Sequence, residues 1–450
     1  MKKIFLALCL CTFFLTFSQN VSVEGSVEAT GIFSSEATDS PFWLYTNTNA
    51  AITPQTVFSG TAQASATYTI TEKSFFEGGI AAFYREGENN LDNFQRRDLY
   101  LQFQNSWLKT TLGAKKQQEN FKGLSATNKN ILWSGNARPL PGLLLEANTP
   151  LKISETFGVD WGIGHYQLND ARYVNDVRVH YKRLGIVAKI NERNTFTARV
   201  QHFAQWAGTS PDFGALPSNF NAFVDVFFAK KSSDDNIAGE VQNALGNHLG
   251  SYFLEYNFGT SFGTFTLYHE HPFEDGSGTR LANFPDGVWG VHLKLEKEGI
   301  LSHLLYEYID TSDQSGNSST SGFDGYFGNN IYRSGWSYED RVIGVPFILV
   351  DPSIELDMDS SRYVSNRAKV HHFGFTGTFK KVEWSLKSTV ATFLGTYRNP
   401  FDPKLTSWSN YASVAYTTTT FGKIKVFAGA DMISERKRIL GGGVTYNYTF

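Results

Sequence analysis

The sequence predicts an all-β protein, a transmembrane antiparallel β-barrel of about 18 strands. Three observations predict this fold class: apolar residues recur at every second position, aromatic residues are abundant, and the N-terminal segment is typical of an exported protein. Aromatic residues make up 15% of the chain, although the total hydrophobic content is an ordinary 41%. A membrane barrel has this composition because only its outer face is apolar and aromatic girdles mark both membrane interfaces.

The first residues have the layout of a secretory signal peptide. Lys2 and Lys3 precede an apolar run over residues 4–17, which polar residues follow. The run is too short to span a bilayer comfortably. We therefore predict a signal peptide over 1–19 and a single outer-membrane barrel domain over 20–450, located in a gram-negative bacterium.

Cysteine content and charge exclude several classes of protein. Both cysteines, Cys9 and Cys11, lie in the predicted signal peptide, so the mature protein has no thiol for a disulfide or for cysteine catalysis. The formal net charge of −3 is too small and too mixed in sign to indicate nucleic acid binding. After residue 20, no apolar run reaches the roughly 18 residues that a transmembrane helix requires.

Strand-like segments with a period of two recur along the chain. In VWGVHLKLEKE (288–298), Trp289 and Val291 share one face, whereas His292 and Lys294 share the other. Periodicity alone does not separate a barrel from a secreted protein of several β-sandwiches, because a charge in mid-strand can face water in either fold. The number of segments and the alternation of short and long connections favour the barrel, with its long loops outside the cell.

The C-terminal segment LGGGVTYNYTF alternates in the same way. Val444, Tyr446, Tyr448 and Phe450 form an apolar, aromatic face, and small polar residues lie between them. We predict that this last strand closes against the first and turns its apolar face to outer-membrane lipid. The pattern also resembles the C-terminal signal by which the barrel assembly machinery recognises its substrates.

Charged residues of both signs are predicted to line a wet interior. Opposite charges on neighbouring strands pair and make a barrel wall rigid, and this structural role is our first interpretation. Guidance of an ionic solute is the functional alternative. The predicted lumen-lining residues are Arg178, His180, Lys182, Arg199, Glu255, His292 and Lys294.

Two segments combine tryptophan with amide and charged side chains. Sugars present an apolar C–H face to an aromatic ring and hydroxyl groups to planar amides or charges, so these segments are candidates for a glycan site. Tryptophan at a membrane interface explains the pattern about equally well. The candidate polysaccharide-binding residues are Trp133, Asn136 and Arg138 in the first segment, and His202, Gln205, Trp206 and Asp212 in the second.

A long connection over 206–249 predicts a short helical hairpin. SNFNAFVDVFFAKK places Phe220, Phe223, Val224, Phe227 and Phe228 at helical spacing. A second run with this spacing consists of Ile237, Val241, Leu245 and Leu249. We expect the hairpin to fold over or into the barrel mouth, and the alternative is a flap that faces lipid.

Three motifs suggest a catalytic or metal site, but a simpler interpretation is preferred for each. GTSFG places Ser261 between two strand patterns, which indicates a hairpin turn and not a nucleophile elbow. His269 and His271 share a face but have no third ligand at diagnostic spacing. The acidic run 351–360 lacks the glycine and the spacing of a calcium loop. We therefore expect no enzyme activity, no metal and no cofactor.

The run QHFAQWAG (201–208) resembles the QHxxQWGG-like motif of the capsule assembly Wzi family, with Ala207 where glycine is expected. ILWSGNARPLPGLLLEA (131–147) and SPFWLYTNTNAAI (40–52) look like the matching earlier segments. The resemblance implies an eighteen-stranded outer-membrane barrel that acts as a lectin. It carries no ligand-binding residue across, and the family's N-terminal helical bundle has no counterpart in NVSVEGSVEATGIF, which reads as a strand.

These observations predict a monomeric, non-enzymatic barrel whose outer loops bind capsular or exopolysaccharide at the cell surface. The alternative is a porin or outer-membrane transporter for a small or ionic solute, with an open lumen. An outer-membrane hydrolase is a further alternative, although the sequence offers no credible arrangement of serine, histidine and acid.

Overall fold

Eighteen antiparallel strands form one closed sheet. The computed structural model describes residues 20–87, 93–231, 244–274, 276, 278–314 and 325–450. The predicted signal peptide lies outside the described residues. The predicted fold class, a transmembrane antiparallel barrel, is confirmed.

The barrel strands are numbered here in chain order. They are β1 (Val21–Ser34), β2 (Thr56–Thr71), β3 (Ser74–Gly87), β4 (Phe94–Gln104), β5 (Leu108–Ala114), β6 (Gly142–Ala147), β7 (Phe157–Leu168), β8 (Val177–Asn191), β9 (Asn194–Trp206), β10 (Asn247–Gly259), β11 (Gly263–Phe273), β12 (Gly287–Leu295), β13 (His303–Asp310), β14 (Ala368–Phe379), β15 (Val382–Gly395), β16 (Pro400–Thr417), β17 (Lys423–Ile433) and β18 (Ile439–Thr449). Leu151–Lys152 extends β6 along the same partner, β7.

Each barrel strand pairs with its sequence neighbours, and β18 closes the barrel against β1. The backbone N–H groups of Gly25 and Phe450 each donate to the other residue's carbonyl, at 3.0 and 2.9 Å. A side chain at position 25 would meet the Phe450 ring, because an added Cβ would lie 2.5 Å from it. Glycine therefore lets the terminal aromatic ring cover the seam.

The last strand shows why the alternating pattern predicts the barrel correctly. Val444, Tyr446 and Tyr448 are 49%, 40% and 38% exposed and point outwards. Between them, the Thr445 hydroxyl points inwards and lies 3.0 Å from that of Thr30. Comparable apolar residues are exposed on strand after strand, so the outer wall is an apolar surface that lipid covers.

Two α-helices lie in long connections: α1 (Phe42–Tyr45) and α2 (Phe220–Phe227). None of the helices in the described chain combines the length and hydropathy needed to span a bilayer. Single 3₁₀ turns occur at Phe121–Gly123 and Gly278–Arg280. Short two-stranded sheets join Thr209–Ser210 to Gly214–Ala215, Ser337–Tyr338 to Arg341–Val342, and Leu349–Val350 to Tyr363–Ser365.

The predicted helical hairpin is half correct. Its first half is α2, but Leu249 of the second half lies in strand β10 and Leu245 in the irregular connection before it. Ile237 and Val241 lie outside the described residues. The strand ladder with β9 reaches Asn247, and it accounts for Leu249 better than its helical spacing does.

The main core lies inside the barrel and not between two layers. Side chains from the connections around α1, over 115–141 and over 325–366 pack against inward-facing wall residues. Trp336, Tyr338 and Phe347 from the third connection are no more than 2% exposed. The lumen near the long loops is therefore filled by the loops themselves, which we call the loop cap.

Candidate binding surface at the loop end

Two buried glutamates on the barrel wall hold the loop cap from within. Glu270 of β11 accepts hydrogen bonds from the backbone N–H of Ile131 at 2.7 Å and from Gln201 Nε2 at 2.9 Å. The Ser251 hydroxyl also donates to Glu270 at 2.7 Å. A buried carboxylate is tolerated only when its oxygens are satisfied in this way, so these contacts fix the position of the loop chain at residue 131.

The second anchor is Glu307 of β13, which is fully buried. Its carboxylate accepts from the Ser125 hydroxyl at 2.6 Å and from the Ala126 N–H at 2.7 Å, and Tyr268 donates its phenol to the same group. His372 on β14 adds a third contact, between its Nε2 and the Leu124 carbonyl at 2.8 Å. Residues 124–131 are thus hydrogen bonded to three separate strands.

The predicted candidates in 131–138 are part of this cap. Trp133 packs edge-on against Tyr166 and Phe203, with ring centroids 5.2 and 5.6 Å apart. Asn136 is buried and donates to the Val342 carbonyl at 3.1 Å. Arg138 is also buried, where it pairs with Glu339. These side chains hold loop to loop inside the barrel and do not present a surface to a glycan.

Three of the candidates in 202–212 are also engaged in packing. Gln205 is fully buried and donates to the Gly335 carbonyl at 3.0 Å. Trp206 is 3% exposed, because α2 covers it. His202 is half-buried and lies 2.9 Å from His248, nitrogen to nitrogen. The aromatic and amide pattern therefore marks the frame of the loop end and not its outer surface.

Asp212 is the one predicted candidate that is exposed. Its carboxylate accepts a hydrogen bond from the Tyr173 hydroxyl, which joins the connections 169–176 and 207–219. Phe213 follows it, and both aromatic rings lie partly against the core with one side open. A ring beside a carboxylate on the outer face of the loops is the combination that a sugar requires.

Charged groups of both signs surround Tyr173. The backbone N–H of Tyr173 donates to the Ser334 hydroxyl at 2.9 Å, which places the neighbouring Arg333 at this surface. Partial burial, together with the hydrogen bond and negative charge of Asp212, raises the pKa of Tyr173 to about 12. The phenol is therefore a neutral donor at neutral pH. We call Tyr173, Asp212, Phe213 and Arg333 the outer surface cluster.

The sequence signal for Tyr173 was available but was not used. ARYVND (171–176) sets a tyrosine beside an arginine and an aspartate in a connection between strands, which is the same kind of pattern that pointed to Trp133. Glu270 could also have been found, because alternation puts it on the face opposite His269 and His271. The structure agrees: the His269 ring stacks on the exposed Trp289, 3.6 Å between centroids, while Glu270 is buried inside.

Four predicted lumen residues, Arg199, Glu255, His292 and Lys294, lie on the inward face. Glu255 pairs with Lys129 of the loop cap, and the His292 ring stacks on Phe121 of the cap, 3.9 Å between centroids. Arg199 lies 3.8 Å from Asp160 on β7. Their contacts join the wall to itself or to the cap.

Arg178, His180 and Lys182 lie on the outward face of β8, which corrects the predicted inward position. They alternate with the fully buried Val177 and Val179 and continue the face of Leu184 and Ile186, which are 57% and 54% exposed. The physical reason is the loop cap. Because apolar loops fill the lumen at this level, the wall residues that face inwards must be apolar too.

Below the cap, towards the short turns, the lumen holds a cavity of about 770 Å³. Ion pairs cross its wall: Lys109 and Arg183 lie 2.6 and 2.8 Å from Glu146, and Lys115 lies 2.9 Å from Glu77. Opposite charges on neighbouring strands thus satisfy one another, as the structural interpretation of the interior expects.

The motifs weighed for catalysis or metal binding have structural surroundings. Ser261 lies in the tight turn between β10 and β11. In the acidic run, Asp351 accepts from both the N–H and the hydroxyl of Ser353, and these bonds hold its pKa below the usual range. Among the described residues, no three histidine, cysteine, aspartate or glutamate side chains are grouped closely enough to hold a metal ion.

No protein-family model matches the sequence, and no curated protein matches it significantly. Two solved structures share the fold. One is Wzi, an outer membrane protein involved in group 1 capsule assembly in Escherichia coli and described as a carbohydrate-binding β-barrel; the TM-score is 0.60 at 12% identity, over 95% of this chain and 84% of that one. The other is a BenF-like porin from Pseudomonas fluorescens Pf-5, with a TM-score of 0.51 at 10% identity, over 96% and 99%.

These likenesses concern the fold, because both identities are low. They agree with the closed sheet of eighteen strands described above. The predicted resemblance to the capsule assembly Wzi family is thus confirmed in the architecture of the barrel.

Proposed function

We propose that this protein is a monomeric, non-enzymatic outer-membrane barrel that binds capsular or exopolysaccharide through the outer face of its loops. The observation that carries the proposal is the filled lumen. Trp336 and Tyr338 of the loop cap are fully buried against the wall, and Glu270 and Glu307 tie the cap to it. A solute that arrives from outside therefore meets the outer surface cluster first.

The chemistry of that cluster supports a sugar ligand. Tyr173 offers a ring face and a phenol, Asp212 accepts hydrogen bonds from hydroxyl groups, and Arg333 can donate to hydroxyl or carboxylate oxygens. The Nε of Arg333 is buried and has no hydrogen-bond partner within the described part of the chain. The carbohydrate binding ascribed to Wzi, which has the same fold, points in the same direction.

Sedimentation of the purified protein with exopolysaccharide from its own bacterium tests the proposal. We expect Tyr173→Ala to weaken binding by at least tenfold, because a stacked ring and a donor are lost; tenfold corresponds to about 1.4 kcal/mol. Asp359→Asn is the matched control, since this exposed acid lies in a neighbouring loop. Equal binding by wild type and Tyr173→Ala, or no binding to any host polysaccharide, would contradict the proposal.

A porin or transporter is the second candidate, supported by the fold shared with the BenF-like porin and by the ionic cavity below the cap. Conductance in planar bilayers separates the two functions. The polysaccharide-binding proposal expects little current through the wild-type protein, because the cap fills the lumen. A steady, ion-selective open conductance would favour the transporter.

A further inference from the structure

Helix α2 packs on the outside of the barrel wall and not in its mouth. Its Ala222 and Val226 are 4% and 0% exposed and pack with Ala204 and Trp206 of β9. Both wall residues belong to the outward face, because they alternate with the inward Phe203 and Gln205. The expectation of a hairpin over or into the mouth is corrected, and the lipid-facing alternative agrees with the structure.

The wall beneath α2 is polar, unlike the rest of the outer surface. The outward residues His165, His180, His202 and His248 cluster there, and the Phe223 ring lies 5.3 Å from that of His180 and 6.2 Å from that of His165. Lys182 donates to the carbonyl of Phe227 at the end of the helix. The helix thus shields a polar patch that would otherwise face the acyl chains, where unsatisfied polar groups are costly.

The face of α2 that points away from the barrel is apolar as well. Phe220, Val224 and Phe228 are spaced four residues apart and share one face. Phe220 is 77% exposed and Phe228 is 62% exposed, while Val224 is half-buried. A helix that is apolar on two opposite faces is normally covered on both sides. The barrel covers one face, and the described residues leave the other uncovered.

The height of the helix on the barrel indicates what covers that face. At about 3.3 Å per residue, Val200, the last exposed apolar residue of β9, lies about 20 Å along its strand from Asn194. On β18, Leu440 is still exposed about 33 Å along the strand from Phe450. Strands tilted by about 40° need roughly 30 Å of length to build an apolar band of about 25 Å. The strands under α2 fall short of that length, and the helix completes the band.

We propose that α2 is an interfacial anchor whose outer stripe is covered by acyl chains of the outer leaflet. Lys230 and Lys231 follow the stripe and are exposed, with the Lys230 ammonium 5.3 Å from the Phe228 ring centroid. They lie where an ammonium group can reach anionic phosphate on the lipid headgroups. This role does not depend on the polysaccharide.

The absence of cysteine from residues 20–450 allows a direct test. A nitroxide label is attached to Phe228→Cys in vesicles of phosphatidylglycerol and phosphatidylethanolamine, and its collisions with oxygen and with a water-soluble nickel chelate are compared. Leu254→Cys, on the exposed apolar wall, is the lipid control, and Asp359→Cys, on a loop, is the water control. Heat-dependent gel mobility confirms that each variant is folded.

We expect the label at 228 to behave like the label at 254, with oxygen collisions favoured at least threefold over the nickel chelate relative to position 359. A label at Phe220→Cys should give the same result. If labels at 220 and 228 are as accessible to nickel as the label at 359, acyl chains do not cover α2 and the inference is overturned.

Discussion

The inner and outer faces of the loop cap differ in what their polar groups do. On the inner face, Glu270 and Glu307 have their oxygens occupied by donors from the protein itself. On the outer face, Asp212 is exposed and has one identified partner, Tyr173. A polar group that the fold has satisfied stabilises the structure, whereas an exposed one can exchange water for a ligand. The comparison therefore assigns stability to the inner face and binding to the outer one.

The largest expected effect is on the inner face. Trp336→Ala removes a fully buried ring and its 2.6 Å hydrogen bond to the Leu132 carbonyl. We expect the cap to lose about 3–5 kcal/mol of local stability, with the strand ladder intact. Hydrogen exchange should rise over 124–140 and 336–348, and bilayer conductance should increase. Phe220→Ala, an exposed aromatic residue, is the control, and unchanged exchange in Trp336→Ala would contradict a packed cap.

Trp206→Ala should release α2 without affecting the cap. The ring is buried between the wall and the helix, so its loss should cost about 3 kcal/mol of helix docking. A nitroxide at position 228 should become more mobile, while polysaccharide binding stays within twofold of wild type. Trp289→Ala, at a tryptophan that is 36% exposed, serves as the control. A large loss of binding would instead place Trp206 in the ligand site.

Glu307→Ala tests a single anchor. It leaves the Ser125 hydroxyl and the Ala126 N–H without their acceptor inside the barrel. Such a loss should cost about 2 kcal/mol, seen as faster hydrogen exchange over 120–131 with little change over 336–348. The exposed Glu296, changed to alanine, should have no effect. If the two variants exchange alike, Glu307 does not hold the cap.

The smallest expected effect is on the outer face. Asp212→Asn keeps the shape of the side chain but removes its charge, so the Tyr173 phenol donates to a neutral acceptor. Because the site is exposed, we expect binding of the polysaccharide to fall only two- to fivefold, less than 1 kcal/mol. Melting temperature should be unchanged. A loss of stability without a loss of binding would move Asp212 to the structural group.

Local pattern was sufficient for the wall of the barrel and for its closure. Val444 to Phe450 could be predicted to face lipid because period-two alternation is a property of the strand itself. It does not state which face is wet, however. On β8 the expected rule, polar inwards and apolar outwards, is reversed at Arg178 and His180, because the loop cap and α2 change the surroundings of both faces.

The candidate site depended on contacts between residues that are distant in sequence. Trp133 and Arg138 have the residue types of a glycan site, but their connection folds inwards onto Tyr166 and Glu339. Tyr173 becomes notable only when Asp212 from another connection lies beside it. Since the structure is what joins these connections, the sequence could supply the types of residue and not their exposure.

Hydrogen exchange with and without bound polysaccharide tests the central claim most directly, because it compares the two faces in one experiment. The account predicts slower exchange over 169–176 and 207–216, around Tyr173 and Asp212, and no change over 124–140. Protection of the cavity-lining residues 97–118 without protection of 169–176 would contradict it, because the ligand would then lie inside the barrel.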